Sequence, residues 1–413
     1  MAKGAFIAFA MQGTGRFKAQ LKRAAIAGFC AVALSAWGAG AGACIPAPTD
    51  AAALPSSVAK SDIPVLLLID ASNAQVLYSR SARRRFVPAS VTKVMTLFTA
   101  FELIEAGKLD PKEQVEVSQD AFEQWRGKGS RMFLDAGDRV PLADLLTGIA
   151  TVSANDASYV VAEHAAGSLA GWTGLMNDNA RKLGMTDTHF ATPNGWPDEG
   201  QTFTTASDLA RLAKALIERH PARFRRFIGK RQMRYRDITQ SNRDPMIGRV
   251  EGADGIKTGY TNEAGFNYLG TAKRGDQRLI VVVAGADRGS DRARAARDLI
   301  EWGFGSFDRS ILFRKGARVG SARVQDGDSR LVELVAERDV AINFPTGLQA
   351  SLEATIIYDG PLRAPLVAGQ KVATLEINAP GIAPARIALK AGHSVDKAGF
   401  FDRIANAFAR WLG

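Results

Sequence analysis

Apolar residues change their spacing twice along this 413-residue chain, and those two changes limit the fold to a few classes. Pro64–Asp70 and Gln75–Ser79 are short apolar runs on either side of Ala71-Ser72-Asn73-Ala74, which predicts a β-hairpin. From Pro88 the spacing turns helical. Val94, Leu97, Phe98, Phe101 and Leu103–Ile104 recur on one face, with proline suited to the first turn and Gly107 to the stop. Leu142–Ala166 is also helical in pattern, broken at Thr151–Asp156, where serine, asparagine and aspartate favour a turn and a new helix start. Ser207 reads as the cap of a helix running to about Glu218. Strands return from Gly252: Gly255–Gly259 leads into Phe266–Lys273, then the turn Arg274–Gln277 and Leu279–Gly285. A helix over Ala293–Trp302, ended by Gly303, closes the pattern. Strands bracketing a helical middle predict an α+β layer, an antiparallel sheet carrying helices and a helical insert.

Beyond Phe307 helical spacing disappears. Gly316–Val324, Arg330–Val335, Val340–Asn343, Leu352–Tyr358 and Lys371–Asn378 alternate apolar and polar residues between Gly, Asp and Pro turns. That predicts a small all-β domain in the size range of a small sandwich. The last residues read as an amphipathic helix, with Phe401, Ile404, Phe408, Trp411 and Leu412 on one face and Asp402, Arg403, Asn406 and Arg410 off it. Such a helix suits an anionic membrane interface.

At the other end, a basic cluster from Arg16 to Arg23 precedes the apolar stretch Ala24–Ala36 and the small residues Ala39–Ala43. This is the layout of an export signal, and its apolar run is short for a bilayer span. The domains expected are therefore a signal over 1–43, a Pro/Ala/Ser-rich linker over 44–61, a catalytic domain over 62–306, the β-domain over 307–391 and the terminal helix over 392–413. Five basic residues in the signal account for much of the formal charge of +11, and removing them leaves +6. A balance of that size suits an anionic surface or polymer, and no aromatic-plus-basic motif argues for nucleic acid. Cys30 and Cys44 both lie at the N-terminal end, so disulfides contribute nothing to the fold. His164, His189, His220 and His393 are scattered, without the spacing of a metal site, and His189 reads as structural.

The chemistry concentrates in three short motifs. Ser90-Val91-Thr92-Lys93 puts a hydroxyl at a helix start and an amine one turn on, on the same face. That is a route to a serine nucleophile without histidine. A bare Ser-x-x-Lys recurs about once by chance in a chain this long, so it means little alone. Ser153-Ala154-Asn155 stands at the helical break, and Lys257-Thr258-Gly259 on a strand. Lys93 can act as base only if neutral, which burial and a second cation such as Lys257 both favour. Ser153, between the lysines, suits proton delivery to a leaving amine, and Asn155 suits orienting Lys93 and a substrate amide.

In order, spacing and element type the three motifs resemble the S-x-x-K, S-x-N and K-T-G set of penicillin-binding proteins and serine β-lactamases. The chain is similar in particular to the D-alanyl-D-alanine carboxypeptidases of low molecular mass, over roughly residues 60–390 and the tail. His189–Gly195 and the β-domain with its amphipathic helix strengthen the likeness. The resemblance implies a β-lactamase/transpeptidase-like domain and an oxyanion hole from the backbone N–H groups of Ser90 and Tyr260. It also implies that Lys257, Thr258 and Arg292 receive the substrate carboxylate. Arg288 and Arg294 are alternatives to Arg292. Tyr260 departs from the histidine of better-known members, which puts leaving-group preference in question. No glutamate motif for rapid β-lactam hydrolysis is present.

The expected function is a serine D-Ala-D-Ala carboxypeptidase acting on peptidoglycan stem pentapeptides, trapped by β-lactams and using no cofactor or metal. Its expected location is the periplasmic face of the cytoplasmic membrane. A DD-endopeptidase with the same groups and a catalytically silent wall-binding protein are the alternatives.

Overall fold

Val65–Asp70 (β1) is buried at every position, and Gln75–Arg80 (β2) is half-buried in alternation, so the hairpin forms as its pattern predicts. It belongs to a five-stranded sheet with Ala253–Thr261 (β3), Gly265–Arg274 (β4) and Gln277–Ala286 (β5), in the order β2-β1-β5-β4-β3. The register sets Leu279 opposite Asp70 and Leu269 opposite Lys257. This computed structural model describes residues 5–10, 18–19, 53–346, 352–379 and 382–399. Contacts divide them into two units, one of Leu54–Ser72 and Leu77–Gly305, the other of the C-terminal residues from Ser306, the N-terminal residues and Asn73–Val76. Because β3 is an edge strand, its Lys257-Thr258-Gly259 segment is open on one side.

The helical middle of the first unit includes Lys93–Glu105 (α1), Leu142–Val152 (α2), Asn155–Ala166 (α3), Leu169–Lys182 (α4) and Ala206–Arg219 (α5). Every residue of α1 from Lys93 to Phe101 is buried, the signature of a helix enclosed on all sides. A 3₁₀ turn, Ala89–Thr92, leads into it, and Gly107 at φ +68° provides the left-handed stop. Two details depart from the reading of the sequence. The cap of α5 is Thr205, whose side chain accepts from the Asp208 N–H, while the Ser207 hydroxyl donates to the Ala82 carbonyl. The closing helix (α6) runs over Gly289–Gly305, and Gly303 does not end it. A Cβ there would lie 2.7 Å from both Leu68 Cδ2 and Leu279 Cδ1, so this glycine lets α6 press onto the sheet. The linker segment also gains structure, with Ser56–Ala59 forming one helical turn around the buried Val58.

In the second unit Phe307–Phe313 (β6) pairs with Val340–Pro345 (β9). The larger sheet contains Arg318–Gln325 (β7), Leu331–Ala336 (β8), Leu352–Ile357 (β10), Lys371–Ala379 (β11) and Ile382–Ala391 (β12). Its order is β7-β8-β12-β11-β10, with the short strand Leu362–Arg363 beside β7. Strands β6 and β12 were not anticipated. Val332, Leu334, Ile342, Phe344, Ile356, Leu375 and Leu389 fill one core between the sheets. Of the expected signal only Ala5–Ala10 and Lys18–Ala19 are described, as strands continuing the sheet beyond β10. The amphipathic segment 400–412 lies outside the described residues. Among those described, no helix is long and apolar enough to cross a membrane.

Candidate active site

The 3₁₀ turn Ala89–Thr92 presents Ser90 where strand β3 passes it at very close range. A Cβ on Gly259 would lie 2.6 Å from the Pro88 carbonyl oxygen and 3.1 Å from the Val91 nitrogen. Only glycine lets the edge strand come so near, and Ser90 and Tyr260 both line the cleft beside this approach. Ala89, fully buried, takes φ +49°, a left-handed conformation that costs an alanine about 1–3 kcal/mol. Local strain thus sits directly before the hydroxyl.

Lys93 begins α1 and is completely buried. Its Nζ lies 3.0 Å from Ser90 Oγ, 2.7 Å from Asn155 Oδ1 and 2.6 Å from the Asn194 carbonyl oxygen. Burial drives its pKa well below the usual lysine range and the charge on Lys257 lowers it further, against a smaller opposing pull from Asp156. A neutral amine has two N–H donors and one lone pair. Two of its neighbours here are carbonyl oxygens that can only accept, and the third is a hydroxyl that can donate. Nζ thus donates to Asn155 and Asn194 and stands within hydrogen-bond distance of Ser90 Oγ, a contact that a neutral amine can make with its lone pair.

Ser153 ends α2 at φ +63° and Asn155 starts α3, so the turn between them aims both side chains into the same cleft. The Ser153 hydroxyl makes no hydrogen bond with either lysine in this structure. The Asn155 N–H donates to the Ser130 carbonyl at 2.8 Å, and Asp156 accepts from the N–H groups of Met132, Leu134 and Ala157. Those bonds hold the segment 129–134 as one wall of the cleft.

Strand β3 forms the opposite wall. Lys257 is 4% exposed, and burial lowers its pKa to about 7, with Asp244 opposing the shift and Arg243 and Arg292 adding to it. The cleft encloses about 560 Å³ and includes Ser90, Ser153, Asn155, Thr258, Gly259, Tyr260 and Arg292. Arg292 comes from the first turns of α6. Its Nε is buried without a partner, and its guanidinium stands 5.9 Å from the Phe266 ring centre. Arg294 instead lines a separate pocket with Asp287 and Asp291. Tyr260 is half exposed, its ring stacked on Phe266 at 4.1 Å.

The structure thus gathers Ser90, Lys93, Ser153, Asn155, Thr258, Gly259, Tyr260 and Arg292 around one cleft, with Lys257 buried at its edge. Two participants escaped the reading of the sequence. Asn194 acts through its main-chain carbonyl, which no residue type announces, although Pro193-Asn194-Gly195 is a plain turn signal. Trp196 lines the cleft against Gly129, its ring edge-to-face with Trp125 at 5.1 Å. His189 lies away from the chemistry, with Nδ1 2.9 Å from the Gln201 carbonyl oxygen.

Residues 51–288 match the family model described as D-alanyl-D-alanine carboxypeptidase, and residues 307–397 match that of the penicillin-binding protein 5 C-terminal domain. D-alanyl-D-alanine carboxypeptidase DacC of Escherichia coli is 35% identical over 378 residues, which cover 89% of this chain and 94% of that protein. Penicillin-binding protein 5 from Haemophilus influenzae superposes with a TM-score of 0.70 at 29% identity, covering 81% of this chain and 98% of its own. Penicillin-binding protein D2 from Listeria monocytogenes, solved in its ampicillin-bound form, matches at 29% identity and a TM-score of 0.51 over 59% of this chain and 97% of its own.

Proposed function

This chain belongs to the D-alanyl-D-alanine carboxypeptidases of the low-molecular-mass penicillin-binding proteins, serine peptidases, and we propose that it removes the terminal D-alanine of peptidoglycan stem pentapeptides through an acyl-enzyme on Ser90. The observation that carries this reading is the contact of the fully buried Lys93 Nζ with Ser90 Oγ at 3.0 Å, where burial and the charge on Lys257 favour a neutral amine able to take the Ser90 proton.

In the reaction so assigned, Ser90 Oγ attacks the carbonyl carbon of the penultimate D-alanine while its proton passes to Lys93. Negative charge gathers on the former carbonyl oxygen, where the N–H groups of Ser90 and Tyr260 stabilise it. Collapse of the tetrahedral intermediate breaks the C–N bond. The proton reaches the departing amine from Lys93 through Ser153, and D-alanine leaves. Water then attacks the ester, the same amine acting as its base, and Ser90 is regenerated. Lys257 and Thr258 on β3 and Arg292 on α6 receive the terminal carboxylate. The unpartnered Arg292 Nε supports that last assignment, because a buried guanidinium with spare donors suits an incoming anion.

A β-lactam carries an amide carbonyl and a carboxylate in similar relation and acylates Ser90 in the same way. Export by the N-terminal segment and seating of residues 400–412 on the anionic outer surface of the cytoplasmic membrane complete the proposal. Both rest on the apolar patterning of those segments. The test is release of free D-alanine from a monomeric pentapeptide by the full chain. Activity lost in Ser90→Ala supports the assignment, and undiminished release by that variant overturns it.

A further inference from the structure

The cations of the cleft stand close together, since Arg243 and Arg292 line it and Lys257 is buried at its edge, while no acidic residue among those described lines it. The acid acting on Lys257, Asp244, stands behind the wall. The Tyr268 O–H lies 3.0 and 2.9 Å from the two carboxylate oxygens of Asp244 and 3.2 Å from the Gly255 carbonyl. Backbone N–H groups of Met246 and Ile247 donate to the same carboxylate at 2.8 and 3.0 Å. Tyr268 is itself fully buried on β4, opposite Thr258, the neighbour of Lys257. Its ring occupies the space beside Gly270, where a Cβ would come within 2.2 Å of Cε1. A glycine, a tyrosine and a carboxylate are thus stacked at one place; burial pushes the Asp244 carboxyl up, and the Met246, Ile247 and Tyr268 hydrogen bonds with the charge on Lys257 favour its ionised form. The loop so held also carries Arg243, which reaches Ser130 Oγ on the opposite wall at 3.1 Å.

We propose that Asp244, clamped by Tyr268, is a positioning residue for the carboxylate end of the cleft, the fixed counter-charge behind Lys257 and the anchor of the loop that sets Arg243 at the rim. This rests on the assignment of Lys257 to the substrate carboxylate. The charged groups around Lys257 are Asp244 and Arg243 from the loop, Arg292 from α6 and Lys93 from α1. Asp254, which acts weakly on Tyr268, is already engaged by Arg278. Asp244 is therefore the acid opposing the cations. Its removal favours the neutral form of Lys257, which cannot attract a carboxylate.

Asp244→Asn keeps an acceptor for the loop N–H groups and removes the charge, whereas Tyr268→Phe keeps the charge and removes the clamp. The probe is benzylpenicillin, which carries a carboxylate, and the readout is its acylation rate on the full chain from pH 5.5 to 9. Asp244→Asn should move the alkaline fall of the rate to lower pH, costing about tenfold or more near pH 8 and less than about threefold near pH 5.5. Tyr268→Phe should slow acylation with a much smaller displacement of that limb. A uniform loss at every pH in Asp244→Asn, with a lowered melting temperature, would mean a structural role alone and overturn the proposal. An unchanged profile would do the same. Absence of any Ser90 adduct in the unsubstituted chain would instead remove the site assignment on which both readings stand.

Discussion

Gly195 faces Ala89 so closely that a Cβ on the glycine would lie 1.9 Å from the Ala89 carbonyl oxygen and 2.8 Å from Thr92 Oγ1. The loop that supplies the Asn194 carbonyl to Lys93 is therefore pressed against the residue before Ser90. With Gly259 against Pro88 on the other side, the serine's approach is gripped from two directions. This grip holds Ala89 in its left-handed conformation.

Gly195→Ala should consequently break the site. The alanine meets backbone at an impossible distance and must also adopt φ +71°. A stability loss of about 2–4 kcal/mol is expected, together with loss of β-lactam acylation. Thermal melting and labelling by a fluorescent penicillin measure both, and a variant that labels at the normal rate would contradict the arrangement.

Lys93→Met retains most of the buried volume and removes the base. Acylation by benzylpenicillin should fall about 10²–10⁴-fold, the range typical of a lost general base, while the circular dichroism spectrum stays unchanged. A fall below tenfold would indicate that another group takes the Ser90 proton.

The pH profile follows from two lysines with opposite duties. In the proposed mechanism Lys93 works as the neutral amine, so activity should rise with pH as it loses its proton, from a pKa well below the ordinary lysine value. In the same proposal Lys257 works as the cation, so kcat/KM should fall as pH rises through about 7. Once a carboxylate is bound, its charge favours the protonated form of Lys257. The same fall in kcat should then lie at higher pH than the fall in kcat/KM. Identical alkaline limbs for both parameters would contradict this role for Lys257.

Gly303→Ala tests packing away from the chemistry. The new methyl meets Leu68 and Leu279 at 2.7 Å, which should cost about 1–3 kcal/mol of stability as α6 shifts off the sheet. Chemical denaturation measures the cost. No loss of stability would mean that the helix and the sheet have slack between them.

How much of this was legible in the sequence depended on where each signal resided. Ser90 and Lys93 declare themselves because both groups lie one turn apart on a single element. Lys257-Thr258-Gly259 does so because its side chains are distinctive. Asn194 was invisible as a partner of Lys93, since its contribution is a peptide carbonyl brought in by a loop a hundred residues away. Gly303 reads locally as a helix stop, and only the packing of Leu68 and Leu279 against it explains a glycine inside α6. Thr205 and Ser207 are equally good caps by composition. The turn chose Thr205 because the Ser207 hydroxyl is engaged by the Ala82 carbonyl. Arg292, Arg288 and Arg294 could not be separated by spacing, and the start of α6 puts Arg292 on the cleft and Arg294 in another pocket.

The central claim is that Ser90, activated by a neutral Lys93, forms an acyl-enzyme. Intact-mass measurement of the full chain mixed with benzylpenicillin tests it most directly, followed over time and mapped to a peptide. The account predicts a mass increase equal to one intact penicillin, located on the Ser90 peptide, stable well beyond the mixing time and missing from Ser90→Ala. An adduct located on another residue, or none at all, would contradict it.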